Sequence, residues 1–375
     1  FHRFEERAYG NPGMSEIRYH ALGGDKKLNE IVFAGSHDAA ITEGGKNAKT
    51  QNLDIHGQAK AGVRLFDIRI TGAIVKNGTA DKVVTLKAYH GTGGKKEHSG
   101  LDRRTGDRTA LTVKSMSGGT YGMTLSKILA DAAKFVREKP TEFLILKFDK
   151  CDNWGAIAEA CIDILGDTIF KEKGNVNLKT LHQLRGKVVV LFSKSGQKAS
   201  GLQDPAAKGI LAFENLKSGG SFDKDFNGLQ YYGKGGTSIL KPFAKISQNK
   251  DRQKSLMRKG IGCGPEVIGM MYWTTTGIFE SIRKRNDTMW TKVKRDSLKK
   301  LWTNGLYESI QERMGAAFNG KVHSTGPMLK VFMPNVVMID FADADKCKTI
   351  YDLNVVAAVD LTDAAIVLEP FLMTG

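Results

Sequence analysis

The stretch EIVFAGSHDAAI, residues 30–41, decides how this chain is read. Residues 30–34 are almost wholly apolar, the pattern of a short strand covered on both faces. An imidazole and a carboxylate, His37 and Asp38, follow within a few residues of the strand end. A turn needs only polar filler there, so a His–Asp pair asks for acid–base chemistry.

Working outward, similar apolar runs recur at 64–70, 83–89, 143–148, 187–192, 267–272 and 335–339. Between them lie helical patterns. Over 124–138, Leu125, Ile128, Leu129, Ala132, Phe135 and Val136 form one stripe, and Pro140 follows its end. Residues 153–165 and 290–318 also read as helical, the latter interrupted at Gly305. Strand followed by helix, repeated, predicts a parallel sheet. The expected fold is α/β, a closed and distorted TIM (β/α) barrel, with an open doubly wound sheet as the alternative. Two Gly-, Lys-, Ser- and Asp-rich regions, near 91–122 and 196–265, read as insertions. With no internal repeat or clean linker, residues 1–375 are expected to form a single catalytic barrel domain.

Composition narrows the function. Hydrophobic residues make up 41% of the 375, mean hydropathy is −0.29, and no apolar run is long enough to span a bilayer. The first ten residues are charged and lack the apolar core of a secretory signal. Because position 1 is Phe, a leader or larger parent chain removed ahead of it stays open. A net charge of +16 favours polyanions: anionic lipid, nucleic acid or an acidic partner. The segment 283–300 holds eight Lys or Arg against two Asp, with Trp273, Trp290 and Trp302 near or within it. That combination suits an anionic membrane interface, and equally a solvated helix face with Trp in the core. Cys151, Cys161, Cys263 and Cys347 have no metal-ligand spacing, and leave disulfide and buried thiol both open.

On the predicted frame, ionisable residues collect at strand ends. His37 and Asp38 follow the first strand, Asp67 and Arg69 lie in the last half of the second, and His90 ends the third. Asp149 ends the fourth and Asp340 the last. The C-terminal ends of barrel strands are where such folds carry their sites. Two imidazoles can supply acid and base near neutral pH, carboxylates can fix their tautomers, and an Arg offers a planar fork for phosphate. His37, His90, Asp38, Asp340 and Arg69 make that set. Each has a plainer reading too: an Asp-x-Arg in a strand can be a structural ion pair, and an Asp at a strand end can cap a turn.

GSHDAAI, then GVRLFDIRI, then AYHG resemble the X-domain of phosphatidylinositol-specific phospholipase C, most closely the small bacterial enzymes. EKPTEFLILKFDK, RGKVVVLFSKSG and VVMIDFAD are weaker matches that follow in the same order, so the likeness spans roughly residues 30–342. The resemblance implies a distorted TIM barrel that cleaves phosphatidylinositol, or a GPI-type lipid, by attack of the inositol 2-hydroxyl. It implies His37 as general base, His90 as general acid, Asp340 orienting His37, Asp38 pairing with His90, and Arg69 on the phosphate beside Asp67. Calcium-dependent members carry a carboxylate where Arg69 stands, so no metal or other cofactor is expected here. The alternative is calcium held by Asp38, Asp67 and Asp149. Asp149 departs from the metal-free pattern, which has a Lys at that strand end; Lys147 and Asp149 are read as substrate-binding, as is Asp67. An inositol-binding Arg expected in LFSKSG is replaced by Ser193, with Lys194 beside it as a further substrate-binding candidate. Expected partners are phosphatidylinositol and an anionic phospholipid surface, with no nucleic acid and a monomeric state. The expected location is bacterial, secreted or exported, and peripheral at a membrane. The rivals are a metal-dependent glycerophosphodiesterase or phospholipase D-like barrel, and a catalytically silent lipid-binding barrel. The former use a Glu-x-Asp pair where this chain has Asp67-Ile68-Arg69.

Overall fold

The computed structural model describes residues 16–75, 82–235, 249, 253, 266–275, 281–295 and 334–357. Thirteen strands are described: β1 (Phe33–Ser36), β2 (Val63–Ile68), β3 (Ile70–Val75), β4 (Val83–Gly91), β5 (Lys95–Asp102), β6 (Arg108–Lys114) and β7 (Gly119–Thr124). They continue with β8 (Leu144–Phe148), β9 (Val188–Ser193), β10 (Ile210–Asn215), β11 (Gly228–Lys234), β12 (Ile268–Trp273) and β13 (Val336–Ile339). Eight of them close a barrel in the order β1-β13-β12-β11-β10-β9-β8-β2, every neighbouring pair parallel. The core strands are apolar at nearly every position because helices cover them outside and side chains fill them inside. The helix Leu125–Glu138 buries the predicted stripe, and the Thr124 hydroxyl caps it by accepting from Lys127 N.

Register fixes what faces inward. Gly35 pairs with Leu65 and with Met338, Tyr272 pairs with Met338, and Asp67 pairs with Lys147. Because side chains alternate, residues two further on, at 37, 69, 149 and 340, continue the inner row toward the strands' C-terminal mouth. Gly35 must be small: a Cβ there would stand 2.3 Å from Met338 Sδ and 2.9 Å from Val336 Cγ1.

Four expectations are corrected. The run 83–89 is not a barrel strand: it lies in β4, antiparallel to β3 in a second sheet ordered β3-β6-β5-β4-β7. The predicted strand 64–70 breaks at Arg69, where the chain leaves the barrel for this excursion, and 91–122 forms most of its remaining strands. Val84, Leu86 and Ala88 are apolar because the excursion packs on the main core. The region 196–265 is not an insertion throughout, since it supplies two barrel strands, β10 and β11. Their outer face is polar: Gln230 donates to Glu214 at 2.7 Å, and Asn177 donates to the Gln230 carbonyl at 2.6 Å. That polarity hides the strands from an apolar-run reading. Finally, the helix expected at 290–318 begins earlier, as Ile282–Arg295, and residues 296–318 lie outside those described. No described helix is long and apolar enough to cross a membrane.

Candidate active site

The turn after β1 is built to aim two side chains at once. Asp38 has φ +43°, in the left-handed region that Asp tolerates better than most residues. The Asp38 carbonyl accepts twice, from Ile41 N at 3.1 Å and from the Thr50 hydroxyl at 2.8 Å, while Ala39 N donates to Asp67 O at 2.9 Å. Gln51 ties this turn to the end of β13: its amide donates to the carbonyls of His37 and Ile339 and accepts from Ala342 N. Phe341, just past Asp340, also has positive φ, +50°. Both strand ends thus hold uncommon backbone conformations where their carboxylates enter the mouth.

The side chains converge. His37 Nδ1 lies 3.0 Å from Asp340 Oδ1, and its Nε2 lies 3.4 Å from an Arg69 terminal nitrogen and 3.6 Å from Asp38 Oδ2. His90 Nδ1 lies 2.7 Å from the same Asp38 oxygen. Arg69 Nε stands 2.9 Å from Asp38 Oδ1, an ion contact off the line of the N–H, and Arg69 also donates to Asp67 Oδ2 at 3.5 Å. Lys147 is fully buried, donates to Asp67 Oδ1 at 3.1 Å and lies 3.6 Å from Asp149 Oδ2. The Phe213 ring covers that ammonium at 4.3 Å. His37 also stands edge-on to Tyr272, ring centroids 6.1 Å apart.

These contacts set the electrostatics. Burial opposes a charged His37, but the carboxylates of Asp38 and Asp340 outweigh it and lift the imidazole to about 9. Burial likewise opposes the Asp38 charge, and Arg69, His37 and His90 together hold its carboxyl far below the usual range. Asp67 is held down against burial by Lys147 and Arg69. Lys147 is held well up against burial by Asp67.

Could the cluster bind a divalent cation? One ligand-type atom each from His37, Asp38 and Asp67 falls within 4.8 Å of the others. Yet both Asp38 oxygens and both Asp67 oxygens already face cationic side chains or an imidazole nitrogen, and Asp149 faces Lys147. Calcium requires six to eight oxygens free to turn toward it. With a guanidinium and an ammonium inside the ring of carboxylates, the donor set does not fit.

Of the residues singled out in the sequence, His37, His90, Arg69, Asp38, Asp340, Asp67, Lys147 and Asp149 meet in one network. His90 reaches it from the excursion and not, as expected, from a barrel strand. Lys194 does not join: its ammonium pairs with Glu214 on the outward side of β10. Ser193 is half-buried at the inner row, with its hydroxyl capping the helix that follows by accepting from Gly196 N. Sequence reading missed Gln51, Tyr272 and Asn286. Asn286 sits inside a run of charges, RKRND, and donates to Asp340 Oδ2 at 3.1 Å. Of the thiols, Cys151, Cys161 and Cys347 are unpaired and buried, and burial pushes Cys347 up to about 12.

Fold and site together define a closed parallel barrel with an imidazole–carboxylate–guanidinium cluster at its C-terminal mouth. Among solved structures, the chain is similar to the phosphatidylinositol-specific phospholipase C of Staphylococcus aureus, with a TM-score of 0.52 and 16% identity, covering 88% of this chain and 95% of that one. The Listeria monocytogenes phosphatidylinositol-specific phospholipase C aligns over 88% of this chain and 96% of its own, at 16% identity and a TM-score of 0.47. No protein-family model and no curated protein matches the chain. The fold is therefore that of the distorted TIM barrel in the S. aureus enzyme.

Proposed function

We propose that this protein cleaves a phosphodiester of the phosphatidylinositol or GPI-lipid type, without a metal, by intramolecular attack of the inositol 2-hydroxyl. The observation that carries the reading is the Asp38 carboxylate, which one oxygen links to both imidazoles, at 2.7 Å from His90 and 3.6 Å from His37, while the other meets Arg69. Two proton-transfer groups and a phosphate-binding fork therefore serve one small volume.

His37 has its Nδ1 committed to Asp340, which leaves Nε2 to take the proton of the attacking hydroxyl. The new bond joins the inositol O2 to phosphorus as the bond from phosphorus to the glycerol oxygen breaks. His90, its Nδ1 held by Asp38, delivers the proton to that leaving oxygen from Nε2. Arg69 balances the charge gathering on the phosphoryl oxygens, with Lys147 and Asp67 holding its surroundings neutral and rigid. The products are diacylglycerol and a cyclic inositol phosphate. Asp149, with 32% of its side chain exposed, offers an acceptor to substrate hydroxyls, whereas Asp67 and Lys147 are buried against each other.

Arg69 and Lys147 count against a metal-dependent glycerophosphodiesterase or phospholipase D-like chemistry, and the intact His–Asp–Arg set counts against a silent lipid-binding barrel. The +16 charge suits a monomer that works at an anionic bilayer rather than on nucleic acid, as a bacterial exported protein would. The test is release of cyclic inositol phosphate from phosphatidylinositol vesicles, with and without EDTA, by wild type and His37→Ala. Activity that survives the chelator and disappears in the variant is expected. Activity lost to EDTA and restored by calcium would overturn the metal-free scheme, and no release by wild type would overturn the substrate.

A further inference from the structure

Asp340 has two carboxylate oxygens, and the mechanism accounts for only one. Oδ1 faces His37 Nδ1 at 3.0 Å; Oδ2 accepts from Asn286 Nδ2 at 3.1 Å. Asn286 lies on the helix Ile282–Arg295, is wholly buried, and also donates to the carbonyls of Thr275 and Ile282. Its own carbonyl oxygen is buried with no hydrogen-bond partner among the described residues. A buried acceptor left unmatched is costly, so an apolar residue would serve packing better. What the amide provides in return is donation.

The helix is itself fixed at the mouth. Ile282 N donates to Lys46 O at 3.1 Å, and the Arg283 guanidinium stands 5.8 Å from the centre of the Phe341 ring, next in sequence to Asp340. The same turn of helix that presents exposed Arg283 to solvent therefore delivers Asn286 to the carboxylate behind His37.

From this geometry we infer that Asn286 is a positioning residue for the proposed general base: it clamps the Asp340 carboxylate so that His37 keeps one tautomer and one orientation, and it ties that orientation to the seating of the basic helix. Asn286 touches no reacting atom. The inference rests on the assignment of His37 as base for its kinetic consequence, but not for its structural one.

Proton NMR separates the two. The downfield Nδ1–H signals of His37 and His90 in the full chain are assigned from His37→Ala and His90→Ala, then compared with Asn286→Leu, which keeps the volume and removes the donor. The His37 signal is expected to shift or broaden as Asp340 loses its clamp, while the His90 signal, held by Asp38, stays where it was. On monomeric dihexanoyl phosphatidylinositol, kcat is expected to fall about tenfold with KM within about twofold, the mark of lost alignment rather than lost binding. If Leu at 286 prevents folding, Asn286→Ala carries the same comparison. An unchanged His37 signal in a folded variant overturns the inference whatever the activity. A wild type inert on the lipid sinks the proposed substrate, while the NMR comparison still decides the role of Asn286.

Discussion

Asp38→Asn is the perturbation that probes the site most directly. The amide keeps the shape of a side chain that is 1% exposed, but removes the one anion shared by Arg69 at 2.9 Å, His90 at 2.7 Å and His37 at 3.6 Å. At 3.6 Å and an effective dielectric near 20, a single such pair contributes about 5 kcal/mol before desolvation is counted. Truncating one member of a buried pair costs about 3–5 kcal/mol. Arg69 and His90 keep 24% and 22% of their side chains exposed, so water relieves part of the loss and the lower end, about 3 kcal/mol, is expected. Thermal unfolding followed by circular dichroism should show the melting point drop by several degrees. Two effects on catalysis then oppose each other. His37 loses the first carboxylate that lifts it, so its midpoint falls from about 9 toward the ordinary value of about 6.5, and the acid limb of the rate profile moves to lower pH. His90 loses its tautomer-fixing partner and Arg69 its anchor, so kcat should fall about a thousandfold or more. A variant that keeps activity within tenfold of wild type, with the acid limb unmoved, would refute the shared-carboxylate argument.

Two further outcomes follow from the charges. In wild type the base must be neutral, so the limb of kcat/KM that reports His37 should climb as pH rises above neutrality, with its midpoint near 9. The same elevation makes His37 stabilising: that contribution is fully present below about 6.5 and is lost as pH rises through about 9. Urea unfolding at pH 6 and pH 10 should therefore show wild type losing more stability than His37→Ala over that interval. Lys147→Met leaves the Asp67 carboxylate without its nearest cation in a dry site, and should destabilise by about 3 kcal/mol in the same urea assay. A neutral result would mean the ammonium is not what holds Asp67 ionised.

The barrel was readable in the sequence wherever a strand is covered by apolar helices. VVVLF and FLILKF announce themselves because both faces are dry. GLQYYGK did not, since Gln230 on its outer face bonds to Asn177 and Glu214, and a polar seam erases the apolar run. VVTLKAY misled in the other direction: it is apolar because an excursion packs on the core, and apolarity does not say in which sheet a strand pairs. Within the site, His37, Asp38, Asp67 and Asp340 were legible from their distance to a strand end. Lys194 looked equivalent, but a helix starts at that residue and Glu214 draws its ammonium outward. Asn286 had no local signal at all; its partner is 54 residues away, and nothing in a charged run marks which member turns inward.

Arg69 is the single residue between the last barrel strand position and the first of the side sheet, and its carbonyl accepts from Tyr89 N, next to His90. The guanidinium and the second imidazole thus share one root, while His37 is planted in the barrel wall. A small tilt of that appendage would carry two groups together relative to the third, changing the gap without bending any strand of the cylinder. Spacing across the mouth is thus coupled to how Val84, Leu86 and Ala88 seat the side sheet on the core.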